Sequence, residues 1–543
     1  MRTKRTFTVL IFAIMLVGTL AGGFYSHKVQ ATNPANSQVR TTDIESIFTE
    51  ALNVVETNYV DEIKHDNLTK VSIQNMLRTL DPHSNYFDSK EFQELQREQH
   101  SQFFGIGVTI NRRNNRVFIL SAIKGTPAEQ AGLRYGDAIL KVNGKSATEW
   151  STQEVLEQVR GPKGEPVEIE VERAGVPKPL TFKIVRDAVP LPSIRNAFMV
   201  KPGVGYIALV GGFNHTTEDE LLQAMEGLKS EGMKSLILDV RNNPGGLLTQ
   251  AIKVSNIFLQ KGQSIVSIRG RDNRTESRSH DANNSAPEDI PLVILINRST
   301  ASASEIVAGA IQDHDRGIIV GESSFGKGLV QTVFRLPYGS GLTLTTAKYY
   351  TPSGRLIQRD YSGLSFYEYY SNHFKKDAKQ PVGEKHRTDS GRDVYSGGGI
   401  KPDVEVKLSE FTPVKAKLFN ATFAFARELT AGLIPGQSQF KVTRTSFNHK
   451  LGTDEFIITD KVVAAFQTFI SSKERENLKV TEAQFNENLD YIKRRIREEV
   501  VTAAYGTEVG NQVLLEGDEQ VLRAVDELPN ARQLAENAYS KKQ

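Results

Sequence analysis

The stretch 291–331 constrains this chain more than any other. Leu292–Ile296 is an unbroken aliphatic run with the length and branching of a buried strand. Small residues follow, ending in Ser302-Ala303-Ser304-Glu305, and then Ile306, Val307, Ala310 and Ile311 recur at helical spacing. A second buried-strand run covers 317–322, and Lys327 comes after it within Phe325-Gly326-Lys327-Gly328. A hydroxyl between a strand and a helix start lies beside backbone N–H groups that no helical bond uses, a good place to stabilise an oxyanion. The same Ser302-x-x-Glu305 also spells a capping box, a purely structural device. Lys327 bears on that choice. A lysine flanked by glycines after a buried strand can be drawn into a partly dry pocket, where desolvation lowers its pKa and a neutral amine can take a serine proton. A Ser–Lys pair needs no histidine.

Two other motifs overlap that lysine and fail. Gly321-Glu-Ser-Ser-Phe-Gly326-Lys327 nearly matches a phosphate-binding loop, but Gly328 stands where a metal-binding Ser or Thr is required. Residues 329–334 are β-branched and alternate like a strand, whereas a nucleotide loop must open a helix. Ser324-Phe-Gly-Lys327 spells the Ser-x-x-Lys of penicillin-binding enzymes, yet Gly326 breaks that helix and no Ser-Asp-Asn or Lys-Thr-Gly partner is present.

Thr-Ala-Ser302-Ala-Ser-Glu and Phe-Gly-Lys327-Gly-x-x-Gln331 closely resemble the carboxyl-terminal processing (tail-specific) proteases, extracytoplasmic enzymes that couple a PDZ domain to a Ser–Lys core. The resemblance implies that Ser302 is the nucleophile, Lys327 the general base and Gln331 the group that orients the lysine. It also matches Asp313 to an acidic position important in some members; a solvated residue near a helix end is the competing view. It covers about residues 42–408 and implies a helical N-terminal region (42–100), a PDZ domain (103–188) and an α/β crotonase- or Clp-like protease core (190–408); with a C-terminal helical domain (410–543), read from amphipathic segments alone, the expected chain is multidomain α/β and α+β.

At 543 residues the chain is too long for one ordinary domain. Its 67 Lys and Arg against 64 Asp and Glu leave a net charge of +3, which argues for neither nucleic acid nor a polyanion as partner. There is no cysteine, hence no disulfide or thiol chemistry. Arg2, Lys4 and Arg5 precede a mostly apolar stretch over 7–24, and Val29-Gln30-Ala31 offers a small-residue cleavage site. Residues 1–31 thus read as a signal peptide or an N-terminal membrane anchor, and the expected location is periplasmic or membrane-anchored on the extracytoplasmic side. The ten histidines are scattered without a His-Glu-x-x-His, so no metal site and no cofactor are expected. His83, in Asp81-Pro-His-Ser84, reads as a turn residue.

Phe104-Gly105-Ile106-Gly107-Val108 resembles the carboxylate-binding loop of a PDZ domain, and 132–144 its turn, strand and Asn-Gly hairpin. Thr152–Val159 would line the groove, with Ile106 and Val108 offering apolar contact to a peptide. The expected partners are polypeptides with apolar C-termini, and an adaptor protein and a homodimer are open possibilities. Arg160 matches a position that links PDZ occupancy to the active site in some members; an ordinary solvated arginine is the alternative.

Asp239-Val-Arg-Asn-Asn-Pro-Gly245-Gly246 lies between strand-like 235–240 and a helical segment, and its glycine pair lets backbone N–H groups approach a substrate carbonyl. The resemblance assigns one oxyanion donor to Gly245 or Gly246 and the other to Ala303. The 410–433, 455–503 and 517–539 segments are amphipathic helices without a chemical motif. The reading is a serine endopeptidase. Its rivals are a non-catalytic PDZ scaffold and, with less support, a crotonase-like acyl-CoA enzyme.

Overall fold

Leu292–Ile296 is a strand buried along its whole length, and helix Ala303–Asp313 follows it after the loop 297–302. The strand sits inside a six-stranded sheet ordered Ile194–Lys201, Val204–Leu209, Ser235–Asp239, Leu292–Ile296, Ile318–Gly321 and Val404–Glu405. The first pair is antiparallel and the rest are parallel, as strands joined by helical crossovers must be. Successive side chains point to opposite faces. Leu236, Leu238, Leu292, Ile294 and Ile296 meet helices Thr217–Ser230, Leu248–Phe258 and Ala303–Asp313 on one face. Ile237, Val293, Leu295, Ile318 and Val320 meet Val521, Ala524, Leu528 and Ala531 of helix Glu519–Ser540 on the other. The continuous apolar runs follow from burial on both sides.

An antiparallel sheet stands over the helix side. Its long strand Gly341–Tyr350 pairs with Leu329–Arg335, with Ser264–Gly270 and with the short Asn85–Phe87. The strand Arg278–Asp281 joins this sheet by pairing with Ser264–Gly270. Residues 108–185 form a separate sheet around their own core, with Val108–Arg113 at one free edge and helix Thr152–Val159 beside it.

The computed structural model describes residues 40–99, 102–271, 278–373, 383–472 and 478–540, so the expected export segment over 1–31 lies outside the described residues. The chain divides into two units, 1–69 and 70–543. In the first, helix Thr41–Asn58 leaves Ile44, Ile47 and Phe48 exposed. Among the described residues no helix is long and apolar enough to cross a membrane.

The C-terminal helices contribute to two apolar cores. Pro413–Ala431, Asp460–Ile470 and Leu489–Tyr505 share a core around Phe425, Phe466 and Ile496. They also hold the sheet of 108–185: Phe423 meets Phe118 edge-on at 5.0 Å, and Arg427 Nε donates to Gly136 O at 2.7 Å. The last helix instead returns to the six-stranded sheet, because that sheet's second face is apolar and has to be covered.

Candidate active site

Ser302 stands between strand and helix in a conformation that L-residues seldom adopt, with φ 56° and ψ −116°. Such strain persists only where surroundings over-determine it. Ala301 N–H donates to Asn243 O at 3.0 Å, Ser302 N–H to Glu305 Oε2 at 2.8 Å, and Tyr349 OH to Ser302 O at 3.1 Å. Ser302 and Glu305 occupy the positions of a capping box, but the serine hydroxyl makes no cap hydrogen bond. The cap therefore uses the carboxylate and leaves the hydroxyl free.

Glu305, which the sequence offered only as a capping residue, joins the two motifs. It is fully buried. Its Oε2 accepts the N–H groups of Ser302 and Lys327 (2.9 Å), and its Oε1 accepts Gly326 N–H at 2.7 Å and Ser324 Oγ–H at 2.5 Å. Burial pushes its pKa up to about 7, while these four donors pull the other way by favouring the anion. A glutamate in this position is recognisable from sequence as a cap; its three other donors, 19 to 22 residues further on, are not.

Ser302, Lys327, Gln331, Gly245, Gly246 and Ala303 line one cavity of about 420 Å³. Burial lowers the Lys327 ammonium's pKa from its ordinary value, against the raising charges of Glu305 and Asp81. Among the described residues, the Lys327 ammonium and the Ser302 hydroxyl share no hydrogen bond. Gln331 sits at a bulge in its strand, and its amide N–H donates to Thr345 Oγ1 at 3.1 Å.

The two glycines differ. Gly245 packs so tightly that a Cβ would lie 2.7 Å from Ser302 Cβ, and its N–H is taken by Asn243 Oδ1 at 2.9 Å. Gly246 is held by the bridge to Phe213, in which Phe213 N–H donates to Gly245 O and Leu247 N–H to Phe213 O. That pattern uses neither Gly246 N–H nor, at the helix start, Ala303 N–H. Asn243, fully buried, ties the glycine loop to the serine turn through Ala301 N–H and Ser304 Oγ.

Other expected residues fall elsewhere. Ile106 is only 2 % exposed and belongs to the core of the 108–185 sheet; Val108 is half-buried at the free edge. Phe104 pairs with Ala188 in a separate two-stranded ladder, and Gly105 with Asp187. Gly107 has φ 81°, with Thr126 packed where a side chain would stand. Arg160 is exposed with its guanidinium over the Phe103 ring at 4.9 Å. Asp313 is not solvated. It is 1 % exposed and paired with the buried Arg355 at 2.6 Å, at the far end of the helix from Ser302. His83 lies in a buried turn. Its ring nitrogens meet Tyr369 OH at 3.1 Å and Tyr370 OH at 3.2 Å, and burial with the Lys327 charge drives its pKa down to about 3.

Known proteins share this arrangement of sequence. The pattern of Peptidase family S41 matches residues 203–364, which include both glycines, Ser302, Lys327 and Gln331, and that of the PDZ domain matches 118–173. A carboxy-terminal-processing protease of Bartonella bacilliformis is 41% identical over 308 residues, 56% of this chain and 70% of that protein. A probable CtpA-like serine protease of Staphylococcus aureus is 35% identical over 352 residues, 64% of this chain and 68% of that protein. Among solved structures, a photosystem II D1 C-terminal processing protease shares 30% identity, with 67% of this chain and 93% of that one covered at a TM-score of 0.35. The extent of the likeness makes this chain a PDZ-bearing serine protease of peptidase family S41, of the carboxy-terminal-processing kind.

Proposed function

We propose that Ser302 and Lys327 are the catalytic pair and that a polypeptide C-terminus held by the PDZ domain delivers the scissile bond to them. The observation that carries this reading is the shared cavity in which Ser302, Lys327 and two unused amides meet. Neutral Lys327 takes the Ser302 proton as Oγ attacks the carbonyl carbon. Negative charge then develops on the carbonyl oxygen, where the N–H groups of Gly246 and Ala303 receive it; Gly245 N–H is already committed to Asn243. Collapse breaks the C–N bond, and the lysine gives its proton to the leaving amine. Water attacks the acyl-enzyme by the same exchange and restores the serine.

Serine and lysine share no hydrogen bond at rest, which suits an enzyme that completes its pair only when a substrate strand fills the cavity. The peptide C-terminus joins the free edge of strand Val108–Arg113, beside helix Thr152–Val159, by main-chain pairing. The same reading places the chain outside the cytoplasm on its N-terminal apolar segment, and the exposed Ile44, Ile47 and Phe48 suit a homodimer contact. The test compares the wild type with Ser302→Ala and Lys327→Ala on an unfolded protein with an apolar C-terminus. Cleavage is lost in both variants while peptide binding persists. Cleavage that survives either substitution refutes the pair.

A further inference from the structure

We propose that the turn 81–84 belongs to the catalytic apparatus: Asp81 is a positioning residue that sets a second negative charge against Lys327 and, through Ser84 and Thr345, holds Gln331 in place. This rests on the Ser302–Lys327 reading. The turn is distant in sequence from every catalytic motif, and it reads there as a simple chain reversal. In the structure Asp81, His83 and Ser84 are all buried.

The hydrogen bonds run in one direction. Asp81 Oδ1 accepts His83 N–H at 2.8 Å and Ser84 N–H at 2.9 Å, and Oδ2 accepts Ser84 Oγ–H at 2.8 Å. Ser84 Oγ, its proton thus committed, accepts Thr345 N–H at 3.1 Å. Thr345 Oγ1 accepts the Gln331 amide at 3.1 Å, at the bulge that opens between Val330 and Gln331. A bulge re-aims a side chain, and here the re-aimed group lines the cavity of Ser302 and Lys327. Strand Asn85–Phe87 extends the turn into the same sheet by pairing with Leu342 and Thr343, so the relay has a rigid base.

A turn alone does not explain the carboxylate. Asparagine would accept the two N–H groups as well, and an ionised group is costly to bury without a counter-charge. Among the described residues Asp81 makes no ion pair, and the cation whose proton affinity it raises is Lys327. The other groups facing that ammonium are Glu305, from the serine helix, and His83. His83 stays neutral, because burial and the Lys327 charge drive its pKa down to about 3, and its ring packs edge-on against Phe325 with centroids 6.2 Å apart. Two carboxylates therefore oppose desolvation at the lysine, and only Asp81 is tied to Gln331.

The test is the pH dependence of kcat/KM for peptide cleavage by the full chain, in the wild type, Asp81→Asn, Ser84→Ala and Lys327→Ala. Removing the Asp81 charge eases loss of the lysine proton, so the acid limb of Asp81→Asn moves to lower pH by about 0.5–1 unit. A limb that stays in place overturns the charge role, because a purely structural defect lowers activity without moving it. Ser84→Ala keeps the charge and cuts the relay. Its kcat falls about tenfold at the plateau, with KM and the acid limb unmoved; an unchanged kcat overturns the relay, and it decides the matter even where Asp81→Asn does not fold. Activity that survives Lys327→Ala refutes the catalytic pair itself, whereas activity lost there with an unmoved Asp81→Asn limb refutes only this proposal.

Discussion

Glu305 shows how one side chain can set the geometry of two others. All four of its neighbours are donors, two on each oxygen, so an amide cannot replace the carboxylate. In Glu305→Gln the new NH2 faces two donors, and each buried donor left unpaired costs about 1–3 kcal/mol. The expected result is a lower thermal midpoint and cleavage reduced at least about a hundredfold, with peptide binding retained; a variant that keeps full kcat would show that the carboxylate only caps the helix. The pH dependence adds a sign. The folded-state pKa of about 7 lies above the ordinary 4.5, so the folded protein binds this proton more tightly than the unfolded chain. Between those values the group's contribution to stability falls as pH rises, by about 3 kcal/mol in all. Activity should rise over the same window, because the four donors need the anion. Thermal midpoints of wild type and Glu305→Gln should therefore draw closer as pH rises across this range, with that slope.

Elements explain which parts of the site the sequence could reveal. Leu292–Ile296, Thr217–Ser230, Gly341–Tyr350 and the PDZ helix Thr152–Val159 stand where their apolar periods and flanking breakers place them, because burial repeats with the local period. Ser302, Lys327 and the glycine pair were legible as motifs because each lies at the end of such an element. Asn243, Ser84 and the Asp313–Arg355 pair were not. Each is a polar residue made buriable with the help of partners far away in sequence, and no local pattern records those partners. The burial of Ile106 in the core was not legible either, because an apolar residue beside a binding loop reads the same whether it faces a ligand or the core. The glycine turn supplies a prediction at this scale. Gly245 has φ 99° and no room beside Ser302, so Gly245→Ala must displace either the glycine loop or the serine turn. Cleavage should fall at least about a hundredfold, with KM changed far less than kcat. If kcat holds and only stability drops, the loop is a scaffold and the oxyanion lies elsewhere.

At the scale of the whole molecule, the end of the chain is part of the catalytic core. Arg241 follows the strand Ser235–Asp239 and precedes the glycine pair. It binds Asp239 through Nε and Nη2, and through Nη1 it reaches Asp518 Oδ2 and Gln520 Oε1, both at 2.8 Å. Gln520 in turn donates to Val406 O at 2.7 Å. The glycine loop is thus fastened to the start of helix Glu519–Ser540, while Val521, Ala524, Leu528 and Ala531 of that helix seal the sheet beneath it. Deleting a buried leucine or valine side chain costs about 1–5 kcal/mol, and an aspartate at such a position costs more because it buries an unpaired charge. Leu528→Asp should therefore destabilise the protease core and abolish cleavage. The PDZ domain has its own core and its own contacts with the helices of 413–505, so it should still bind a peptide C-terminus. Hydrogen exchange followed by peptide would separate the two, with protection lost over 204–321 and kept over 116–172. Uniform loss in both regions would mean that PDZ domain, core and last helix unfold as one cooperative unit. Unchanged protection of the core would mean that the last helix is an ornament on a sheet that does not need it.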